Sequence, residues 1–568
     1  MMKRRLFISF CMIWLILLTI VPITVGRSSS NEKTNFWGNV NKQAQLLDSY
    51  FSHPYGALRE TPSSSGISAM ANSLAATTLF AEYNLGGSSD LSKLAQNIMN
   101  ASSKYFGEIS TSDSRGWVSY YDFSKDDLRN YVKARKFTHD QFLMLLGLAN
   151  IYLNLNEGNP YKRDYLAFAN LTTDFIKDNL LETNGKWIDS VYIFNETLYT
   201  KNRFRVVEHI CWTIWAALNL PSSFNSPLST NLLTQMADFL AENGTLNGGI
   251  HSILSPGGES SDNVFKLRIN ALYGIINLEL YDKTDEDKYL NRGKLAFDFI
   301  VNNLWDLHFK GFFDQSDDKG LLLVQGKSLS GNALACLLAS KLARYIPAND
   351  TIESVYVLSN LFIEKYLQSS DELKYYISCD RDGDPLSLVT LESNIIRLWQ
   401  RTNSLHIING TIPESVSIGE KIQLELNVAN PSNLTYNITV NGDQIEPYNQ
   451  TTSDSHVSIT LSLKKNAEIG ETSIFVNFRV LNEIVDKSGS ISMRIGSDRR
   501  LPQGLVYIVA LGILVAMVVV ARYPPKSLED FLARLSSLSL SEEERQEISE
   551  IEQSKEEKPS QSEEKSNG

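Results

Sequence analysis

Only four cysteines occur in 568 residues, too few for a disulfide framework or a zinc-ribbon array. Cys11 lies in an N-terminal apolar run, so Cys211, Cys336 and Cys379 can form at most one disulfide. No Cys-x-x-Cys spacing is present to support thiol redox chemistry. Glycine (32) and proline (16) are too sparse for collagen-like or low-complexity chains. Basic side chains are also in deficit, 53 against 65 acidic, for a net charge of −12. Clustered Lys and Arg for phosphate contacts are therefore missing, and no nucleic-acid partner is expected. HExxH, GxSxG and P-loop patterns are absent too, which removes metalloprotease, serine-hydrolase and NTPase readings. No metal and no cofactor is implied. What remains is a large globular chain, 43% hydrophobic, with an apolar segment near each end.

Lys3, Arg4 and Arg5 precede an apolar run from Leu6 to Val25, the pattern of a secretory signal over residues 1–26. Gly504 to Ala521 is an uninterrupted apolar stretch, long enough for a single membrane-spanning helix. The tail 522–568 is Ser/Glu/Lys-rich and acidic. The expected topology is a cell-membrane protein with its ectodomain outside and its tail in the cytoplasm. Nine Asn-x-Ser/Thr sequons, all between the apolar segments, agree with it. Leu528, Phe531, Leu532, Leu535 and Leu538 mark a short amphipathic face that could dock a cytoplasmic partner.

Between Asn35 and Arg401 the apolar spacing follows the helix period. It predicts twelve helices over 36–51, 66–83, 90–105, 138–154, 160–181, 205–219, 227–242, 263–282, 285–303, 327–345, 350–367 and 388–401. Each odd helix leads into a marked segment: Gly56-Ala-Leu-Arg, Gly116-Trp-Val-Ser, Gly185-Lys-Trp-Ile-Asp, Gly248-Gly-Ile-His, Gly311-Phe-Phe-Asp and Tyr375-Tyr-Ile-Ser. The even helices are apolar almost all round, and so belong inside. A helical hairpin cannot bury its apolar face alone, so the hairpins must stack. Six of them predict a closed all-α (α/α)6 toroid over 35–402, with an open solenoid as the alternative.

The stretch Gly311-Phe-Phe-Asp314 … Lys327-Ser-Leu-Ser330-Gly331-Asn332-Ala333 resembles the six-hairpin toroids. It is nearest the toroid of the thioredoxin-fused, spermatogenesis-associated family, itself similar to N-acylglucosamine and cellobiose 2-epimerases. That resemblance implies a sugar-handling cleft at the mouth before the inner helices, with paired histidines moving a proton beside a sugar carbonyl. One departure matters: the last inner helix carries Glu392 and no histidine.

Candidate catalytic residues at that mouth are His139, Asp140, Glu208, His209, His251 and Asp314, because histidine and carboxylate side chains suit acid–base work. Trp117, Tyr121, Trp187, Arg268 and Lys327 are the candidate substrate-binding residues, as flat rings and cations that meet sugar faces and oxygens. From Leu405 the period changes to two, predicting an all-β, Ig-like sandwich over 405–496 that serves as a stalk. The sequence thus points to a surface-anchored protein that acts on external carbohydrate, by glycoside hydrolysis or epimerase-like isomerisation. A non-catalytic glycan receptor or adhesin on a degenerate toroid is the alternative.

Overall fold

The computed structural model describes residues 33–496, apart from 108–115, 125–134, 182–187, 195–196, 201–204, 370–373 and four single positions. The signal, the 504–521 run, the acidic tail and Trp187 lie outside these residues. Among the described residues no helix is long and apolar enough to cross a membrane.

Among the described residues twelve helices follow one another: α1 Asn39–Phe51, α2 Ala69–Asn84, α3 Ser89–Gly107, α4 Thr138–Asn154, α5 Lys162–Asn179, α6 Val207–Leu218, α7 Thr230–Gly244, α8 Leu267–Thr284, α9 Asp287–Leu304, α10 Leu329–Tyr345, α11 Asp350–Phe362 and α12 Leu391–Thr402. A single π turn, Ile363–Leu367, continues α11. Several inner helices begin later than their periodicity predicts. The residues before them are extended instead: Gly66–Ser68, Arg205–Val206, Phe265–Lys266 and Lys327–Ser328 each form a short antiparallel ladder with the following repeat.

The even helices form a closed ring. α2 packs on α4, α4 on α6, α6 on α8, α8 on α10, α10 on α12, and α12 back on α2. Contact between the last helix and the first rules out the open solenoid. Backbone bonds repeat around the same ring. The N–H groups of Ala69, Thr138, Val207, Leu267, Leu329 and Leu391 donate to the carbonyls of Ser119, Asp189, Ser252, Asp314, Ile377 and Glu60. Each bond satisfies an N–H that a helix start leaves orphaned, and the last of them joins repeat six to repeat one.

The recurring glycines have a steric cause. A Cβ on Gly116, Gly249 or Gly311 would come within 2.4–2.6 Å of the ring of Phe175, Phe299 or Phe362 on the next outer helix. Gly311 also adopts φ +69°, which glycine reaches at little cost.

The C-terminal region is all-β, in two sheets. Its strands are β1 Lys33–Trp37, β2 His406–Pro413, β3 Ser415–Ser417, β4 Lys421–Ala429, β5 Tyr436–Gly442, β6 Tyr448–Thr452, β7 His456–Ser462, β8 Gly470–Val480, β9 Glu483–Lys487 and β10 Ile491–Gly496. One sheet runs β1-β2-β4-β7 and the other β3-β10-β8-β5-β6, with β9 on β8. The strand β1 precedes the toroid in sequence, so residues 33–37, partly assigned above to helix, complete the β-region.

That region is docked on the toroid as a base. Arg401 pairs with Asp486 at 2.9 Å, and Asn360 Nδ2 donates to the Val485 carbonyl at 2.8 Å. Ser340 and Ser432 hydroxyls meet at 2.9 Å, and His406 meets Glu82 at 3.0 Å. On the toroid side most of these groups sit toward the C-terminal ends of inner helices, so the base lies at the end opposite the mouth, against repeats one, five and six. Cys211, Cys336 and Cys379 are free and buried.

Candidate active site at the toroid mouth

The six inner helices point their N-terminal ends at one mouth. Their second residues are Met70, His139, Glu208, Arg268, Ser330 and Glu392. Four of the six are ionisable groups at positive helix ends, a setting that favours carboxylates and bound oxyanions.

His139 and His209 stack face to face, ring centroids 4.1 Å apart at 25°. His209 Nδ1 lies 3.1 and 3.3 Å from the two carboxylate oxygens of Asp189, and so donates to them. Burial opposes charge on the His209 ring. The Asp189 hydrogen bond, with the charges of Asp189, Glu208 and Asp140, outweighs it and raises the pKa. His139 is driven well below the usual imidazole value by burial, then by His209 and Arg268. Asp140, 3.4 Å from His139 Nε2, is raised by burial to about 7. At neutral pH the His139 ring is therefore uncharged, and Asp140 is in the middle of its titration.

Arg268 bridges Glu208, at 2.6 Å, and Glu392. Arg268 and Glu392 wall a cavity of about 290 Å³, whose lining also includes Glu60, Thr61, Ser68 and Ser330. Hydroxyls, two carboxylates and a guanidinium in a space near the lower end of small-molecule pockets suit a small polyol. Burial and then the charge of Glu392 raise the pKa of Glu60.

The structure thus brings His139, Asp140, Glu208, His209 and Arg268 together. His251 stands one repeat along, only 6% exposed, with its ring 4.4 Å from Phe265. Asp314 is spent on the start of α10, accepting from Ser328 N at 2.9 Å and from the Ser328 hydroxyl. Two residues expected to bind substrate have no free face. Trp117 is 3% exposed, with Nε1 donating to Thr172 at 2.7 Å. Lys327 is fully buried and pairs with Asp306 at 2.6 Å, because the residues around it close over the ladder it belongs to. Tyr121 lies in an aromatic cluster on the rim.

Glu60 is the residue missed from sequence. Its signal was present: it stands two places after Leu58, as Asp189 and Asp314 stand two after Trp187 and Phe312 in their marked segments. Among the described residues no group of three or more His, Cys, Asp or Glu side chains could hold a metal.

No protein-family profile and no curated sequence matches the chain. Solved structures do. A D-mannose isomerase aligns with TM-score 0.55 at 12% identity, over 64% of this chain and 96% of its own. A sugar epimerase from a ruminal bacterium gives TM-score 0.54 at 10% identity, over 64% and 97%. Cellobiose 2-epimerase from Bacillus thermoamylovorans gives 0.53 at 11%, over 64% and 98%. At such identities the likeness is one of fold, and the helical domain has the six-hairpin toroid fold of these proteins.

Proposed function

We propose that the mouth is a sugar-isomerising site, in which His209 moves a proton beside a sugar carbonyl. The observation that carries this reading is the stacked histidine pair, in which His139 stays uncharged while Asp189, on Nδ1 of the partly exposed His209, helps that ring take up and hold a proton. Asp189 occupies Nδ1 and leaves Nε2 to the substrate. Neutral Nε2 takes the proton α to the carbonyl, and the electron pair moves to the carbonyl oxygen, against Arg268. Return of the proton to the carbonyl carbon C1, with the O2 hydroxyl proton passing to O1, gives the ketose isomer, and delivery of a proton to the opposite face of C2 gives the epimer. Proteins of the same fold that isomerise mannose or epimerise cellobiose support the substrate class.

Glycosidic cleavage is a second reading, favoured by one observation. Glu60, with its raised pKa, lines the same cavity as the Arg268-paired Glu392, the pairing of proton donor and carboxylate such hydrolysis needs.

Incubation with D-mannose, D-glucose and cellobiose in D₂O, followed by proton NMR, tests both. Deuterium at C1 of a ketose product or at C2 of an epimer is expected, and His209→Asn should lower its rate about 10²- to 10⁴-fold with Tm unchanged. New reducing ends lost in Glu60→Gln would instead establish hydrolysis. Saturable binding without either product would make the protein a glycan receptor. We also propose an outside-facing ectodomain anchored by residues 504–521. Protease added to intact cells should then spare an epitope in the 522–568 tail, and its loss would reverse the topology.

A further inference from the structure

Beside the cavity, the rim of repeats one and two carries a cluster of aromatic rings. His53 stacks on Phe123 at 4.0 Å and 11°. Tyr55 leans over both, 5.0 Å from His53 and 5.3 Å from Phe123, and reaches Tyr105 at 5.5 Å. Tyr105 and Tyr121 close the group, each 4.8 Å from Phe123. His53, Tyr105, Tyr121 and Phe123 are half-buried, whereas Tyr55 on top is 58% exposed. Burial, then Arg59, lowers the His53 pKa, so its ring is uncharged at neutral pH.

The cluster is continuous with the cavity wall. Ser68 lines the cavity and belongs to the strand whose ladder with Tyr120–Asp122 carries Tyr121 opposite Ile67. Phe123 N–H donates to the Ser65 carbonyl, and Glu60 N–H to the Gly66 carbonyl. One short ladder thus ends in the cavity on one side and in the rings on the other. The cavity, at about 290 Å³, has room for roughly one sugar ring. A chain attached to that ring and leaving on the side of Ser68 would run over the rings.

Resting on the reading of the mouth as a sugar site, we propose that the cluster of His53, Tyr55, Tyr105, Tyr121 and Phe123 is a platform for the second and later units of a neutral glycan chain. The substrate is then an oligosaccharide acted on at its end unit. Tyrosine fits such a platform, since its ring meets the C–H face of a pyranose and its hydroxyl stays wet for the sugar's own hydroxyls. Phe123 and His53 hold Tyr55 in place from beneath.

The test is calorimetric titration of the full chain with manno- and gluco-oligosaccharides of one to six units, alongside Tyr55→Ala, Tyr55→Phe and Phe123→Ala. In the unaltered protein, affinity should rise about tenfold or more between one and three units. Tyr55→Ala and Phe123→Ala should lose that increment and bind the single sugar as before, with Tyr55→Phe keeping most of it. Tyr55 is exposed, so its alanine variant should fold even if Phe123→Ala does not. Single-sugar binding with no gain from chain length would overturn the platform and leave the mouth reading standing. Failure of every sugar to bind would overturn both. Conversion of a dimer to a monomer by Tyr55→Ala would show the rings to be a contact between copies, and would also overturn the proposal.

Discussion

Lys327 and His209 show how burial decides what an ionisable side chain can do. Lys327 is enclosed by Phe309, Phe313 and Phe362, each ring about 5 Å from its ammonium, and its charge is answered by Asp306. Removing one partner of such a pair strands the other, so Lys327→Met should destabilise by about 3–5 kcal/mol. The double change with Asp306→Leu should cost less, and chemical denaturation separates the two. His209 keeps 22% of its side chain exposed and so can meet a ligand. Asp189 favours its protonated form, which places the acidic limb of any proton-transfer rate above the ordinary imidazole value. Asp189→Asn removes that support, so the limb of kcat/KM should move to lower pH. A limb that stayed in place would mean that another group is the base.

At the scale of the element, the repeat is held by a side chain the Gly-marked segments only hinted at. The fourth residue of an inner helix is an amide in five of the six: Asn72, Gln141, Asn270, Asn332 and Asn394. Each amide takes the N–H of Leu58, Trp117, Ile250, Phe312 or Tyr375 on its oxygen. Its nitrogen donates to the carbonyl of that same residue. The third repeat has Ile210 instead. Asn332→Ala would orphan both backbone groups of buried Phe312, a loss of about 2–4 kcal/mol by denaturant titration. Helix order and closure were legible in the sequence, because apolar spacing and six marked segments repeat visibly. The clamp was not, since an Asn inside an apolar helix reads as an isolated polar residue until its partner, 14 to 24 positions earlier, is seen opposite. A like separation hid the burial of Trp117 and Lys327, whose residue types alone suggest sugar contacts, whereas Glu60 was legible by its place in the marked segment.

For the whole molecule, the decisive contact is the one between toroid and β-region, which share a single buried core. His406 opens the first strand after the toroid, with Nε2 3.0 Å from Glu82 and Nδ1 2.9 Å from the Ser404 carbonyl. Asn41 holds the other Glu82 oxygen, and Asp486 stands near, accepting from the Ile407 N–H. Burial opposes a charged ring here, but Glu82, the Ser404 carbonyl and Asp486 outweigh it, and the folded-state pKa is raised. A raised histidine pKa stabilises the fold fully below the unfolded value of about 6.5. That contribution fades as pH climbs through the folded value. His406→Gln, which keeps a hydrogen bond but not the charge, should therefore lower Tm more at pH 5.5 than at pH 8.5. Because the pair spans the two parts, the loss should appear as a shift of one shared unfolding transition. A Tm gap equal at both pH values would show an uncharged hydrogen bond. Two separated transitions would show that the β-region does not brace the toroid.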